Sequence, residues 1–300
     1  MAQTVKVAFI GFGEAAGAFR AGWRDAGLTP VVAAFDIKTA ASDLDVRNQK
    51  WNDYAAANVT GGETPGAALD GAAIILSLVT ADQALNAARA AADCIPAGAL
   101  YCDGNSCAPG TKTQAAHLIE AAGGRYVDMA VMAPVYPKRH HTPLLLAGPH
   151  ADDALAALTA LDMKAKVAGP VVGAASSIKM IRSIMMKGME ALFLECVLAG
   201  RKAGVDDVVL SSLDVTYPGF DFKAKAAYMQ ERVMTHGIRR AAEMREVART
   251  VDDLGLGGTM ARATVDWQQR VGDLKLDAKA IGADDYGALA DAILAKLGAV

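Results

Sequence analysis

Gly11, Gly13 and Ala16 stand in the spacing G-x-G-x-x-A, between an apolar run, Val5–Ile10, and a helix-like stretch, Glu14–Ala26. Each position has a physical task. Gly11 permits a tight turn, Gly13 lets the backbone approach a pyrophosphate, and Ala16 lets the helix pack closely on the strand. The helix N-terminus adds free N–H groups and a partial positive charge for the phosphates. The spacing alone is a weak signal, but here it sits where it must, at the first strand-to-helix turn. Glu14 does not help beside phosphates and is expected to face solvent. The confirming feature is an acid about 20 residues further on. Asp36 fills that place, closing the second apolar run, Val31–Phe35. A carboxylate there accepts hydrogen bonds from a ribose and repels a 2′-phosphate, which favours NAD over NADP. The alternative is a turn or helix-capping Asp, and Lys38 nearby keeps NADP open.

A second group of polar residues lies in a long stretch dense in Ile and Met. Lys179, Ser183, Met186 and Glu190 fall at 0, +4, +7 and +11, on one face of a helix. Taken by itself, such a stripe is either a solvated side or a site. Asn105 and Ser106 follow a short apolar run, Ala99–Cys102, where the cleft of an α/β sheet forms. Their alternative role is an Asx or Ser turn capping the helix that follows Pro109. Lys138, Arg139, His140 and His141 form one local basic cluster, read either as an anion site or as a solvated loop.

The four cysteines, Cys94, Cys102, Cys107 and Cys196, make no C-x-x-C pair and have no histidines at zinc spacing. No metal is expected, and the thiols read as reduced and cytoplasmic. The net charge is -3, without a long basic run, so nucleic acid is not an expected partner. The longest apolar run, Ala72–Val79, is far short of the ~20 residues that span a membrane.

The elements that must position these residues follow from periodicity. Apolar runs at Val5–Ile10, Val31–Phe35, Ala73–Val79, Ala99–Cys102, Tyr126–Met132 and Leu144–Ala147 alternate in the first half with helical stretches at Glu14–Ala26, Ala81–Ala92 and Thr111–Ala122. Continuous apolar strands with helices between them give an α/β, doubly wound, parallel sheet covered on both faces. From Gly173 to Gly204 a helical pattern runs without proline. Further helices are expected at Phe222–Leu254, Thr259–Val271 and Tyr286–Leu297, with no strand after Val172. The 300 residues, 53% of them hydrophobic, suit roughly two domains. The expected division is 1–172, the nucleotide-binding part, and 173–300, an all-helical part. A long apolar helix followed by helices with no sheet to cover suggests burial in a partner, hence a homodimer through the C-terminal helices.

With these segments assembled, the chain resembles the β-hydroxyacid dehydrogenase and 6-phosphogluconate dehydrogenase superfamily, which includes 3-hydroxyisobutyrate dehydrogenases. The likeness runs through Gly11-Phe12-Gly13, Asp103-Gly104-Asn105-Ser106-Cys107-Ala108-Pro109, Asp128–Val135 and Gly173–Lys179. His236–Met244 resembles a bacterial subgroup with a poorly characterised helical C-terminal domain. The resemblance implies a Rossmann domain, a helical dimerisation domain and a site in the cleft between them. It makes Lys179 the catalytic lysine, a partly desolvated ammonium of lowered pKa that exchanges a proton with a substrate oxygen. It places Asn105 and Ser106 at the substrate and the nicotinamide side of the cofactor. Two departures stand out. Ser183 replaces the family's usual Asn, and Tyr136-Pro137-Lys138 replaces its Ser-Gly-Gly carboxylate nest, which puts simple 3-hydroxy acids in doubt. His236 stands where many relatives carry a lysine, with a helix-surface histidine as the alternative.

The resulting expectation is an NAD(P)-dependent oxidoreductase acting on a C–OH/C=O carbon of a small organic substrate. Its catalytic residue is Lys179, and Asn105, Ser106, Tyr136, Lys138, Ser183 and His236 line the substrate. Gly11, Phe12, Gly13, Glu14, Ala15, Ala16, Asp36, Val79, Thr80 and Asn105 hold the cofactor. A same-fold imine reductase, a non-catalytic dinucleotide sensor and an S-adenosylmethionine-binding Rossmann domain are the rivals. The short-chain dehydrogenase route is disfavoured, because no Tyr is followed four residues later by Lys.

Overall fold

The computed structural model describes residues 5–298. The chain divides into two compact units within one long helix, after Met180.

The first unit is built on one eight-stranded sheet. In chain order it holds β1 (Lys6–Ile10), α1 (Glu14–Asp25), β2 (Val31–Phe35), α2 (Leu44–Ala57), β3 (Thr60–Gly61), α3 (Pro65–Leu69), β4 (Ile74–Ser77), α4 (Ala84–Ala92) and β5 (Leu100–Asp103). Then come α5 (Pro109–Ala121), β6 (Arg125–Val131), β7 (Leu144–Ala147), α6 (Ala151–Ala160), β8 (Ala165–Gly169) and the start of α7 (Ala174–Ala203). The strand order is β3-β2-β1-β4-β5-β6-β7-β8. The first six strands are parallel, β7 is antiparallel to β6, and β8 is parallel to β7.

The continuous apolar strands are explained by burial on both faces. Val7 and Phe9 pack on one side with Phe19 and Trp23 of α1, while Ala8 and Ile10 pack on the other with Ala88 and Ala91 of α4. The strand order reverses between β1 and β4, so the crevice at their C-terminal ends is where an open α/β sheet takes its ligand.

Some elements escaped periodicity. In α2 only Lys50 and Tyr54 are buried, so no apolar stripe marks it. Its start is set by Asp43, whose carboxylate accepts from the N–H groups of Asp45 and Val46. β8 lies at the sheet edge with half-exposed residues, without the apolar run of an inner strand. The first turns of α7, as far as Met180, go with the sheet-bearing unit.

The second unit is helical among its described residues. After α7 come α8 (Asp206–Thr216), α9 (Phe222–Asp253), α10 (Thr259–Gly272), α11 (Ala278–Ile281) and α12 (Tyr286–Leu297). Its core joins Phe193, Leu194 and Val197 to Met229, Val233, Val271, Leu289 and Ile293. α9 and α10 meet backbone to backbone. A Cβ at Gly237 would lie 2.3 Å from the Gln268 carbonyl oxygen, so only glycine fits that crossing. No helix among the described residues is long and apolar enough to cross a membrane.

Candidate functional site

The glycine loop follows directly from the sheet register. Gly11 donates its N–H to the Phe35 carbonyl at 2.8 Å and adopts φ +83°. A Cβ there would sit 2.5 Å from the Leu78 carbonyl oxygen, so the residue is glycine for both conformation and space. Gly13 is different: a Cβ on it would meet nothing within 4 Å. No side chain caps α1 at Gly13, and Glu14 is exposed, as its sequence context led one to expect. An uncapped helix N-terminus beside open space is what a phosphate group requires, and Ala15 and Ala16 lie in that first turn. The residues present therefore fit a dinucleotide.

Asp36 does two things at once. One carboxylate oxygen accepts the Phe12 N–H at 2.9 Å, and the other accepts the Lys38 N–H at 3.0 Å. It thus caps the short turn Ile37–Ala40 and fixes the middle of the glycine loop. Each oxygen has a further lone pair for a ligand. Phe12 is also held from the other side, where Lys50 Nζ donates to its carbonyl at 2.7 Å and pairs with Asp53 at 2.9 Å. Sequence reasoning missed Lys50, because a lysine in a helix without an apolar stripe reads as surface.

Asn105 is 3% exposed and its amide ties two strand ends together. Its Oδ1 accepts the Val79 N–H at 2.6 Å, and its Nδ2 donates to Ser77 Oγ at 3.0 Å. It therefore positions Val79, next to Thr80, at the mouth of the crevice. It does not cap α5, whose N-cap is Ala108 with no side-chain bond. Its neighbour Ser106 is half-buried and accepts a hydrogen bond from Lys179 Nζ at 2.6 Å. Lys179 and Ser106 are 73 positions apart in sequence, and the fold makes them partners.

That partnership depends on a buried ionic cluster that sequence reasoning did not assign. Asp103 and Asp128 are register neighbours on β5 and β6. Lys112 of α5, with no exposed side-chain surface, lies 3.0 Å from Asp103 and 3.5 Å from Asp128. Burial pushes the Lys112 pKa down, but the two carboxylates outweigh it and hold the ammonium charged. The Tyr126 hydroxyl donates to Asp103 at 2.8 Å. Asp128 Oδ2 accepts the Gly173 N–H, the Ser176 N–H and the Ser176 hydroxyl, at 3.0–3.1 Å. It is thus the anion at the N-terminus of α7, and Lys179 follows one turn after Ser176.

The stripe on α7 is not a solvated face, and its composition differs from the expected one. Met186 is 40% exposed, whereas Lys187 is buried and takes its place. Lys187 donates to Ser183 at 3.1 Å and pairs with Glu243 of α9 at 2.8 Å. Glu190 accepts from Gln268 at 2.8 Å and pairs with Arg240. Ser183 therefore belongs to a buried polar ladder along α7. His236, on α9, is half-buried. Burial, then Arg232, Arg239 and Arg240, push its pKa down, so its imidazole is neutral at neutral pH.

The basic loop is not a free anion patch. Arg139 pairs with Asp25, His141 with Asp162, and His140 is buried. Tyr136 and Lys138 remain exposed.

Comparison with known proteins identifies the family and the fold. A family described as the NAD binding domain of 6-phosphogluconate dehydrogenase matches residues 6–173, and a domain of unknown function (DUF1932) matches residues 201–271. A conserved hypothetical protein from Sinorhizobium meliloti is 33% identical, over 98% of this chain and 97% of that one, with a TM-score of 0.77. A Mycobacterium tuberculosis 3-hydroxyisobutyrate dehydrogenase shares the fold at 15% identity over 96% and 99%, with a TM-score of 0.67. An Aspergillus terreus reductive aminase shares it at 17% over 96% and 99%, with a TM-score of 0.55. With a nicotinamide dinucleotide as the family's cofactor, a hydroxyacid-dehydrogenase-like fold and a matched Rossmann half, the chain belongs to the family that carries the NAD-binding domain of 6-phosphogluconate dehydrogenase.

Proposed function

We propose that this protein is an oxidoreductase that moves a hydride between a nicotinamide and a C–OH/C=O carbon of a small organic substrate. One observation carries the reading: a lysine and a serine hydroxyl, 2.6 Å apart, at a helix start fixed by a buried carboxylate. When bound, the nicotinamide supplies or receives the hydride. The chain's own residues handle the proton. In the oxidative direction, the substrate hydroxyl gives its proton to Lys179 Nζ in the amine form as its C–H hydride departs and the carbonyl forms. In the reductive direction, the lysine ammonium returns that proton to the oxygen. Ser106 accepts from Lys179 and so directs its lone pair or proton. Asn105, inside the protein, sets the position of Val79 beside the site.

Tyr136 and Lys138, exposed where the family has a carboxylate nest, support a substrate other than a simple 3-hydroxy acid. Imine reduction is the rival, and the shared fold of a reductive aminase keeps it in view. A panel of hydroxy acids, their carbonyl partners and cyclic imines, followed at the NADH absorbance band, separates the readings. Turnover on a C–OH/C=O member supports the proposal. Turnover on imines alone, or cofactor binding without turnover on any member, refutes it.

NAD(H) is the proposed cofactor, since Asp36 faces the glycine loop with lone pairs to spare for a ribose. Calorimetry on Asp36→Ala is expected to show weaker NADH binding and a narrower NADH/NADPH gap. A wild type that prefers NADPH contradicts the assignment.

The second unit is proposed to pair with another copy of this chain. Leu192, Val208, Val215, Leu254, Leu256 and Met260 leave 58–80% of their surface exposed on its helices and in the turn after α9, apolar surface that a partner copy would cover. Light scattering should give twice the monomer mass, and a monomer at micromolar concentration would refute the pairing.

A further inference from the structure

His140, His141 and Asp162 lie in the first unit, within reach of one another, and the hydride-transfer reading does not use them. Each offers one ligand atom, and the three atoms lie within 4.8 Å of one another. His141 Nε2 is 2.8 Å from Asp162 Oδ2, and His140 Nε2 is 3.6 Å from the same oxygen. A four-coordinate cation with bonds of about 2.0–2.1 Å sets its ligand atoms roughly 3.3 Å apart. The observed separations bracket that value, so a small shift of His141 accommodates an ion.

His140 supplies the independent sign of a ligand. It is 5% exposed, and neither of its ring nitrogens has a hydrogen-bond partner. Buried polar atoms without partners are rare in folded proteins and ask for an explanation. The ring is pressed against α1 at Gly22, where an added Cβ would lie 2.1 Å from Nδ1. With Nδ1 against the helix, Nε2 is the nitrogen left to point at Asp162. Lys164 holds the other Asp162 oxygen, Oδ1, at 2.7 Å, leaving Oδ2 between the two imidazoles.

We propose that His140, His141 and Asp162 bind a divalent transition cation of the zinc type. Two imidazole nitrogens and one carboxylate oxygen suit Zn²⁺, and they do not suit Mg²⁺ or Ca²⁺, which take oxygen shells. Water completes the coordination on the exposed side of His141. The neighbouring Lys164 charge limits affinity but does not occupy the ligating oxygen. The ion clamps the Arg139–His141 turn to the turn between α6 and β8. That holds the segment after Tyr136 and Lys138, two candidate substrate-facing residues, in one conformation. The sequence pointed to no metal because its cysteines form no C-x-x-C pair and have no histidines at zinc spacing, and Asp162 stands 21 positions from His141.

Metal-free full-length protein is titrated with Zn²⁺ against a chromogenic chelator, and Co²⁺ is used to report coordination by its visible absorption. The expected result is one equivalent bound per chain, with a rise in melting temperature. His141→Ala and Asp162→Asn, both at partly exposed positions, should each weaken binding at least about tenfold and abolish the thermal shift. His117→Ala, an exposed histidine elsewhere, should change neither. The absence of stoichiometric binding by the wild type overturns the proposal, as does unchanged affinity in both site variants.

Discussion

Replacing Lys112 with methionine is expected to destabilise the first unit by about 3–5 kcal/mol, because it removes the one cation from a buried ionic cluster. Asp103 and Asp128 are register neighbours with no exposed side-chain surface. Without Lys112 two carboxylates face each other across one strand spacing. Tyr126 still donates to Asp103, and the start of α7 still donates to Asp128, so the fold loosens rather than dissolves. Thermal melting should fall on the order of 10 °C. Neutralising both acids in the same variant, with Asp103→Asn and Asp128→Asn, should recover part of the loss, because asparagine retains an acceptor oxygen for the Ser176 N–H. Calorimetry showing the single variant within about 2 °C of wild type would mean that the cluster is not an energetic anchor.

How much of this was readable in advance depends on how local the signal is. The strands were legible because Val7, Phe9, Ile75 and Leu76 lie in continuous apolar runs that only a doubly covered sheet can bury. The glycine loop was legible because Gly11, Gly13 and Asp36 act through backbone conformation and strand order. The Lys112 cluster was not legible. Its acids belong to different strands, and only the β5–β6 register brings them together. The α7 stripe was half legible. A period of 3.6 residues allows position 186 or 187 on the face, and the partner Glu243, 56 residues away, decides for Lys187. His140 and His141 were seen only as part of a basic loop, since pairing His141 with Asp162 requires β7 and β8 in place.

Lys179→Ala is expected to lower turnover by about 10²- to 10⁴-fold, the range of positioned proton transfer. The lysine reaches Ser106 at 2.6 Å, while Asp128 fixes the start of its helix. Removing the amine leaves the glycine loop, Asp36 and the Asn105 clamp unchanged, so cofactor affinity should hold. Lys179→Arg should not rescue turnover, because guanidinium does not release its proton near neutral pH. Ser106→Ala should cost less, since it removes a partner of the amine and not the amine itself.

The direct test uses the best substrate from the panel. It compares kcat for wild type and Lys179→Ala, with the NADH dissociation constant of each measured in parallel. The account predicts a kcat lower by at least about 100-fold at unchanged NADH affinity. Equal kcat in the two proteins would contradict it and return Lys179 to a structural role beside Ser106.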